Sequence, residues 1–143
     1  MNPSPALFDA EEDIIQRLRE AVPELKTVDS AALIAGSTSF TDLLPAAFVE
    51  PGGGTVDLAS GYDDLPLKQT WSVLLVVPHH RIRPGDTSSA QQAGSLAVAI
   101  IRALHGWSAG AEGEPLLFTE HLDPVSSVGW AMFELRFVLG LRL

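Results

Sequence analysis

The chain has 143 residues, with 18 acids against 9 Lys and Arg and a formal net charge of −9. That balance argues against nonspecific nucleic-acid binding, which depends on cations neutralising phosphates. Without a cysteine there are no disulfides, thiolate zinc sites or cysteine nucleophiles, and no apolar run approaches the ~20 residues that span a bilayer, so a soluble protein is expected.

Residues 2–5 are a short polar leader, too small and uncharged for a secretory signal. Residues 7–22 then take a helical pattern, with Leu7, Ile14, Ile15, Leu18 and Val22 on one broad face. Asp9, Glu11, Glu12 and Asp13 precede Arg17 and Arg19, a polarity that complements the helix dipole. Pro23 ends the helix. A short strand over 25–29 and a helical turn over 31–34, capped by Ser30, come next.

Residues 44–50 (LPAAFVE) have strand character. Pro51-Gly52-Gly53-Gly54 and the following stretch to Asp64 predict a mobile loop or hairpin tip. No phosphate-cradling glycine pattern occurs there. Residues 67–77 (LKQTWSVLLVV) form the clearest internal strand. It alternates at first and ends apolar on both faces, as a strand covered on both sides does, and Pro78 closes it. His79 to Gly85 make a basic connection.

The run Asp86-Thr87-Ser88-Ser89 offers N-caps for a helix over 90–105 whose first half is rich in small residues, so that it can lie close to a sheet. Gly106 suits the position after its end, and Trp107 is expected to fold back as a lid. After a glycine-rich loop, residues 115–121 (PLLFTEH) read as a strand, and Val125 to Val128 lead into the last one. That last strand, GWAMFELRFVLGLRL, alternates strictly: Ala131, Phe133, Leu135, Phe137, Leu139, Leu141 and Leu143 share one face. Trp130, Met132, Glu134, Arg136, Val138, Gly140 and Arg142 share the other. The sum is a single α+β domain over 1–143, with a mainly antiparallel sheet, two principal helices and a mobile loop at about 51–64.

Chemistry is harder to find. His79 and His80 are adjacent on extended chain and point apart, so they do not ligate one metal together, and neither His105 nor His121 is spaced to help. Gly106-Trp107-Ser108-Ala109-Gly110 matches G-x-S-x-G formally. A nucleophilic serine of that motif follows a strand and opens a helix; Ser108 follows a helix and enters a loop. A small serine hydrolase using Ser108 with His121 is therefore the competing reading from the enzyme class, and a monomeric ligand-binding module is a third. Trp71, Arg81, Arg83, Glu134 and Arg136 are the candidates for contact with a neighbouring subunit. Glu134 and Arg136, two apart on one strand face, also make a simple ion pair.

The acidic first helix (ALFDAEEDIIQRLREAVPEL), the QTWSVLLVV strand, the small-residue helix (AQQAGSLAVAIIRALHGW) and the terminal GWAMFELRF strand together resemble phage tail-terminator proteins, most closely the small family of Mu-like phages and prophages. The likeness spans residues 6–138 and rests on packing patterns. It implies an α+β subunit with no catalytic residue, metal or cofactor. Such subunits form a ring, six-membered in the family, on the head-proximal end of the tail tube. The ring stops tube polymerisation and offers a docking surface to the head or neck. The implied partners are further copies of the chain, the tail tube protein, a head–tail connector or neck protein, and DNA passing through the lumen unbound. The implied location is the neck region of the virion tail, after assembly in the host cytoplasm. Asp57, Asp63, Asp64, Glu112 and Glu114 are the acids expected nearest such a lumen. Another head–tail joining or tail-completion protein is the nearest alternative.

Overall fold

A six-stranded sheet organises the chain, with two helices packed on one side of it. The computed structural model describes residues 7–35, 41–56, 65–79, 88–109 and 114–142. Along the chain run α1 (Ala10–Ala21), β1 (Thr27–Ser30), α2 (Ala32–Ala35), a 3-10 turn (Thr41–Leu43), β2 (Ala46–Val56) and β3 (Pro66–His79). They are followed by α3 (Ser89–Leu104), β4 (Leu117–His121), β5 (Val125–Ser127) and β6 (Gly129–Arg142). The strand order is β1-β2-β3-β6-β4, with β5 also on β6. Among the described strands, only β1 and β2 are parallel. This is the α+β class with a mainly antiparallel sheet that the patterns imply.

The alternation in β6 follows from what each side meets. Ala131, Leu135, Phe137 and Leu139 are buried beneath the helices, while Glu134, Arg136 and Val138 point to the open side, half-buried. β3 pairs with β6 in phase, placing Trp71 opposite Phe137 and Val73 opposite Leu135 on the helix side. Its apolar second half has two destinations. Leu75 and Val77 join the helix-side core; Leu74 and Val76 join Leu44, Ala46 and Phe48 in a smaller cluster on the open side, where Ala31, Ile34 and Leu43 pack against it. Each large side chain fully buried this way contributes roughly 1.5–3 kcal/mol.

On the helix side, Ile14, Ile15 and Leu18 of α1 and Ala93, Leu96, Ile100 and Leu104 of α3 complete the core. Ser88 caps α3: its hydroxyl accepts the Gln91 N–H at 3.0 Å, and the Gln91 side chain accepts the Ser88 N–H at 3.0 Å. Arg17 joins the two helices, donating from Nε to the Ala103 carbonyl at 3.0 Å and lying 5.8 Å from the centre of the Trp107 ring. Trp107 is half-buried against the core, the lid expected of it. Arg19 ties α1 to β1 through two hydrogen bonds to the Val28 carbonyl. Gln69, 2% exposed, accepts the Trp71 indole N–H at 2.8 Å and donates to the Leu7 carbonyl at 2.8 Å. That chain fixes the segment ahead of α1 to the sheet.

Three expectations change. Pro51 to Val56 are not loop: they continue β2 against β3, with a bulge between Pro51 and Gly54. A Cβ on Gly52 would lie 3.1 Å from the Thr70 carbonyl oxygen, so glycine permits the approach. The rest of the expected loop, residues 57–64, lies outside the described residues. Pro78 does not close β3, because pairing with β6 carries through Pro78 opposite Trp130 to His79 opposite Gly129. Lastly, Val125 to Ser127 form a strand of their own on β6. Among the described residues no helix is long and apolar enough to cross a membrane.

Candidate assembly surface

The open side of the sheet is where the molecule departs from an ordinary two-layer domain. Its Leu74 end is covered by α2 and the 3-10 turn; the remainder carries charge on strands that no helix covers among the described residues. Register sets Glu50 of β2, Ser72 of β3, Arg136 of β6 and Glu120 of β4 in one row across four strands. At ~4.8 Å per strand the row is about 14 Å long. Arg136 donates from Nε to Glu134 Oε2 at 2.7 Å and from Nη1 to Glu120 Oε1 at 3.1 Å. The Ser72 hydroxyl, buried in the sheet, donates to the same Glu134 oxygen at 3.2 Å.

This network holds three carboxylates and one guanidinium. The hydrogen bond to Glu134 holds the Arg136 proton more firmly than usual. Glu50 feels the opposite environment: burial, and next the charge of Glu134, push its carboxyl above the ordinary carboxylate range. A half-buried carboxylate beside a like charge costs the isolated subunit stability. At the β3-start end, the Glu114 carboxylate occupies the space over Gly140 on the same side, where any side chain at 140 would stand.

Of the residues singled out from sequence, Glu134 and Arg136 come together here as the expected pair, and Glu114 lies exposed at the edge of the same side. Trp71 does not: it is 0% exposed in the helix-side core, where it has no surface left for a neighbour. Its indole N–H donates instead to Gln69, a buried acceptor two residues away. Arg81, Arg83, Asp57, Asp63, Asp64 and Glu112 lie outside the described residues. Sequence reading missed Glu50, Ser72 and Glu120, because only the four-strand register brings them to Arg136.

The serine-hydrolase reading has little geometric support. Ser108 is exposed and bridges to Pro115. β4 then runs on to His121, six residues of extended chain beyond Pro115, about 20 Å away. His105 accepts the Phe118 N–H at 3.0 Å, and His79 shares a hydrogen bond with Ser89 at 2.9 Å. Among the described residues, no histidine reaches Ser108 and no three metal-ligating side chains cluster.

Comparison with known proteins places this fold. The chain is similar to one in a structure described as the virion of a native gene transfer agent particle, with a TM-score of 0.59, 17% identity and 95% of each chain covered. At that identity the likeness is one of fold. No individual curated protein matches. The family described as phage tail terminator protein matches residues 4–143. The chain therefore belongs to the phage tail terminator family, and its role is that of a structural protein of the phage tail.

Proposed function

We propose that this chain assembles as a ring, six-membered as in the family it resembles, on the head-proximal end of the tail tube. There it ends tube polymerisation and presents the surface to which the head or neck docks. The observation that carries the reading is the uncovered, charged side of the sheet. A subunit that kept it in water would gain nothing from holding Glu50 and Glu134 half-buried together, whereas a neighbour can cover that pair and set a further cation beside it. Glu134 and Arg136 are the contact residues that the reading retains, and Arg81 and Arg83 stay candidates from the sequence. The net charge of −9 suits a lumen that DNA traverses without adhering. Glu114, with Asp57, Asp63, Asp64 and Glu112, is assigned to that lining.

Negative-stain electron microscopy tests this directly, with the protein alone over a concentration series and then mixed with isolated tail tubes. Closed rings, or added density at one end of each tube, are the expected result. A compact monomer that never marks a tube end would refute the proposal.

A further inference from the structure

Resting on that ring reading, we infer that assembly is linked to protonation: each joint that covers the open side of the sheet takes one proton from solvent onto Glu50. Two rows of side chains set the geometry. In the first, Phe48 of β2, Leu74 of β3 and Glu134 of β6 stand opposite one another. The second, two residues along each strand on the same side, is the row of Glu50, Ser72, Arg136 and Glu120. Glu50 and Glu134 are therefore diagonal neighbours across β3, both half-buried and both bordering the apolar cluster of Phe48 and Leu74. Ser72, 4% exposed between them, gives its one hydrogen to Glu134. Towards Glu50 that hydroxyl has only lone pairs, which accept from a carboxyl and repel a carboxylate. Arg136 donates to Glu134 and Glu120, and among the described residues no hydrogen bond or ion pair holds Glu50 ionised.

The other charges on this side stand farther off or have partners of their own. β1 brings Asp29, opposite Phe48 and 3.8 Å from Arg19. The 3-10 turn brings Asp42, and α2 brings no charge. β3 brings Lys68, four residues from Ser72 and so about 13 Å along the strand. Arg142 of β6, opposite Pro66, is farther still. In the free subunit, burial and then the charge of Glu134 already push the Glu50 carboxyl upward. A neighbour that covers this side excludes water and strengthens both effects. A second copy is poor in cations, with 18 acids against 9 Lys and Arg. Glu50, Glu134 and Glu120 face one guanidinium, so even one further cation leaves a carboxylate over. Glu50 is the one that no donor stabilises; once protonated it can donate to Ser72 and complete a chain to Glu134. The joined form thus binds more protons than the free one. Assembly strengthens as pH falls, by up to about tenfold per pH unit for each joint.

Sedimentation velocity of the full chain between about pH 8 and pH 5 tests the inference. Glu50→Gln serves as the permanently neutral form, and thermal melting by circular dichroism checks that it folds as the wild type does. Wild-type assembly is expected to tighten about tenfold or more across that range. Glu50→Gln is expected to assemble at the alkaline end as tightly as the wild type does in acid, with most of the pH dependence gone. A general loss of negative charge also favours assembly in acid, and Glu120→Gln controls for it. That variant removes a charge from the exposed end of the same row and is expected to keep the wild-type slope. A Glu50→Gln protein with the wild-type pH dependence overturns the inference, as does a Glu120→Gln protein that flattens it equally. Isolated tail tubes separate the two readings. A wild type that forms rings or marks tube ends equally well at every pH, or better towards alkali, overturns the proton link and leaves the ring reading intact. A wild type that does neither at any pH overturns both.

Discussion

Replacing Gln69 by leucine isolates a buried polar chain that crosses the helix-side core. The substitution keeps the volume but removes the acceptor for the Trp71 indole N–H and the donor for the Leu7 carbonyl. Trp71 is 0% exposed, so its N–H has no water to turn to. An orphaned buried donor costs about 1–3 kcal/mol, and losing the link to Leu7 adds roughly 1 kcal/mol. A total near 3 kcal/mol lowers the melting temperature of a domain this size by roughly 10 °C. Urea denaturation of four proteins measures it: wild type, Gln69→Leu, Trp71→Phe and the double variant. With phenylalanine at 71 there is no N–H to orphan, so Gln69→Leu should then cost only about 1 kcal/mol. The expected coupling energy is about 2 kcal/mol. Coupling below ~0.5 kcal/mol would refute the reasoning, as would a Gln69→Leu protein as stable as the wild type.

Other substitutions probe separate features. Ser88→Ala removes the capping box of α3 and should cost about 1 kcal/mol, read as a lower urea midpoint with unchanged slope. Gly52→Ala forces a Cβ against Thr70 backbone and should cost about 1 kcal/mol. Gly140→Ala displaces only the flexible end of Glu114 and should stay within about 0.5 kcal/mol; the reverse order would contradict the packing described. Glu50→Gln should stabilise the subunit at neutral pH. The folded state raises the Glu50 pKa, so its penalty is present in full above that pKa and fades as pH falls through it. The advantage of Glu50→Gln in urea midpoint should therefore shrink as pH drops through that raised pKa towards the ordinary carboxylate range; an advantage that grows in acid would overturn the assignment.

How far the fold can be read from sequence depends on whether a residue's surroundings lie near it in the chain. The last strand is legible because each side chain's side is set by a period of two, and its helix-side residues meet one continuous core. The start of α3 is legible because a capping box is complete within four residues. The Pro51 to Val56 stretch is not. Its glycines imply freedom, yet their cause is the close approach of Thr70, about 18 positions on. The candidate site divides the same way. Glu134 and Arg136 pair along one strand and are visible as neighbours; Glu50 joins them only through β3, with Ser72 between.

The position of β6 in the sheet has a consequence in time. It is the partner of β3 along its whole length, and it also carries β4 and β5 on its other edge. Yet Gly129 follows His79 by 50 positions. At ~5–20 residues per second, a ribosome takes roughly 3–10 s to make that interval. During it, the most apolar strand of the protein has one edge without its partner, and such an edge is a template for pairing with another nascent chain. The first half of β3 moderates the hazard, since Lys68, Gln69, Thr70 and Ser72 dilute its apolar character. Its second half, Val73 to Val77, has no such protection. A protein whose central strand arrives last thus depends on how quickly translation delivers it.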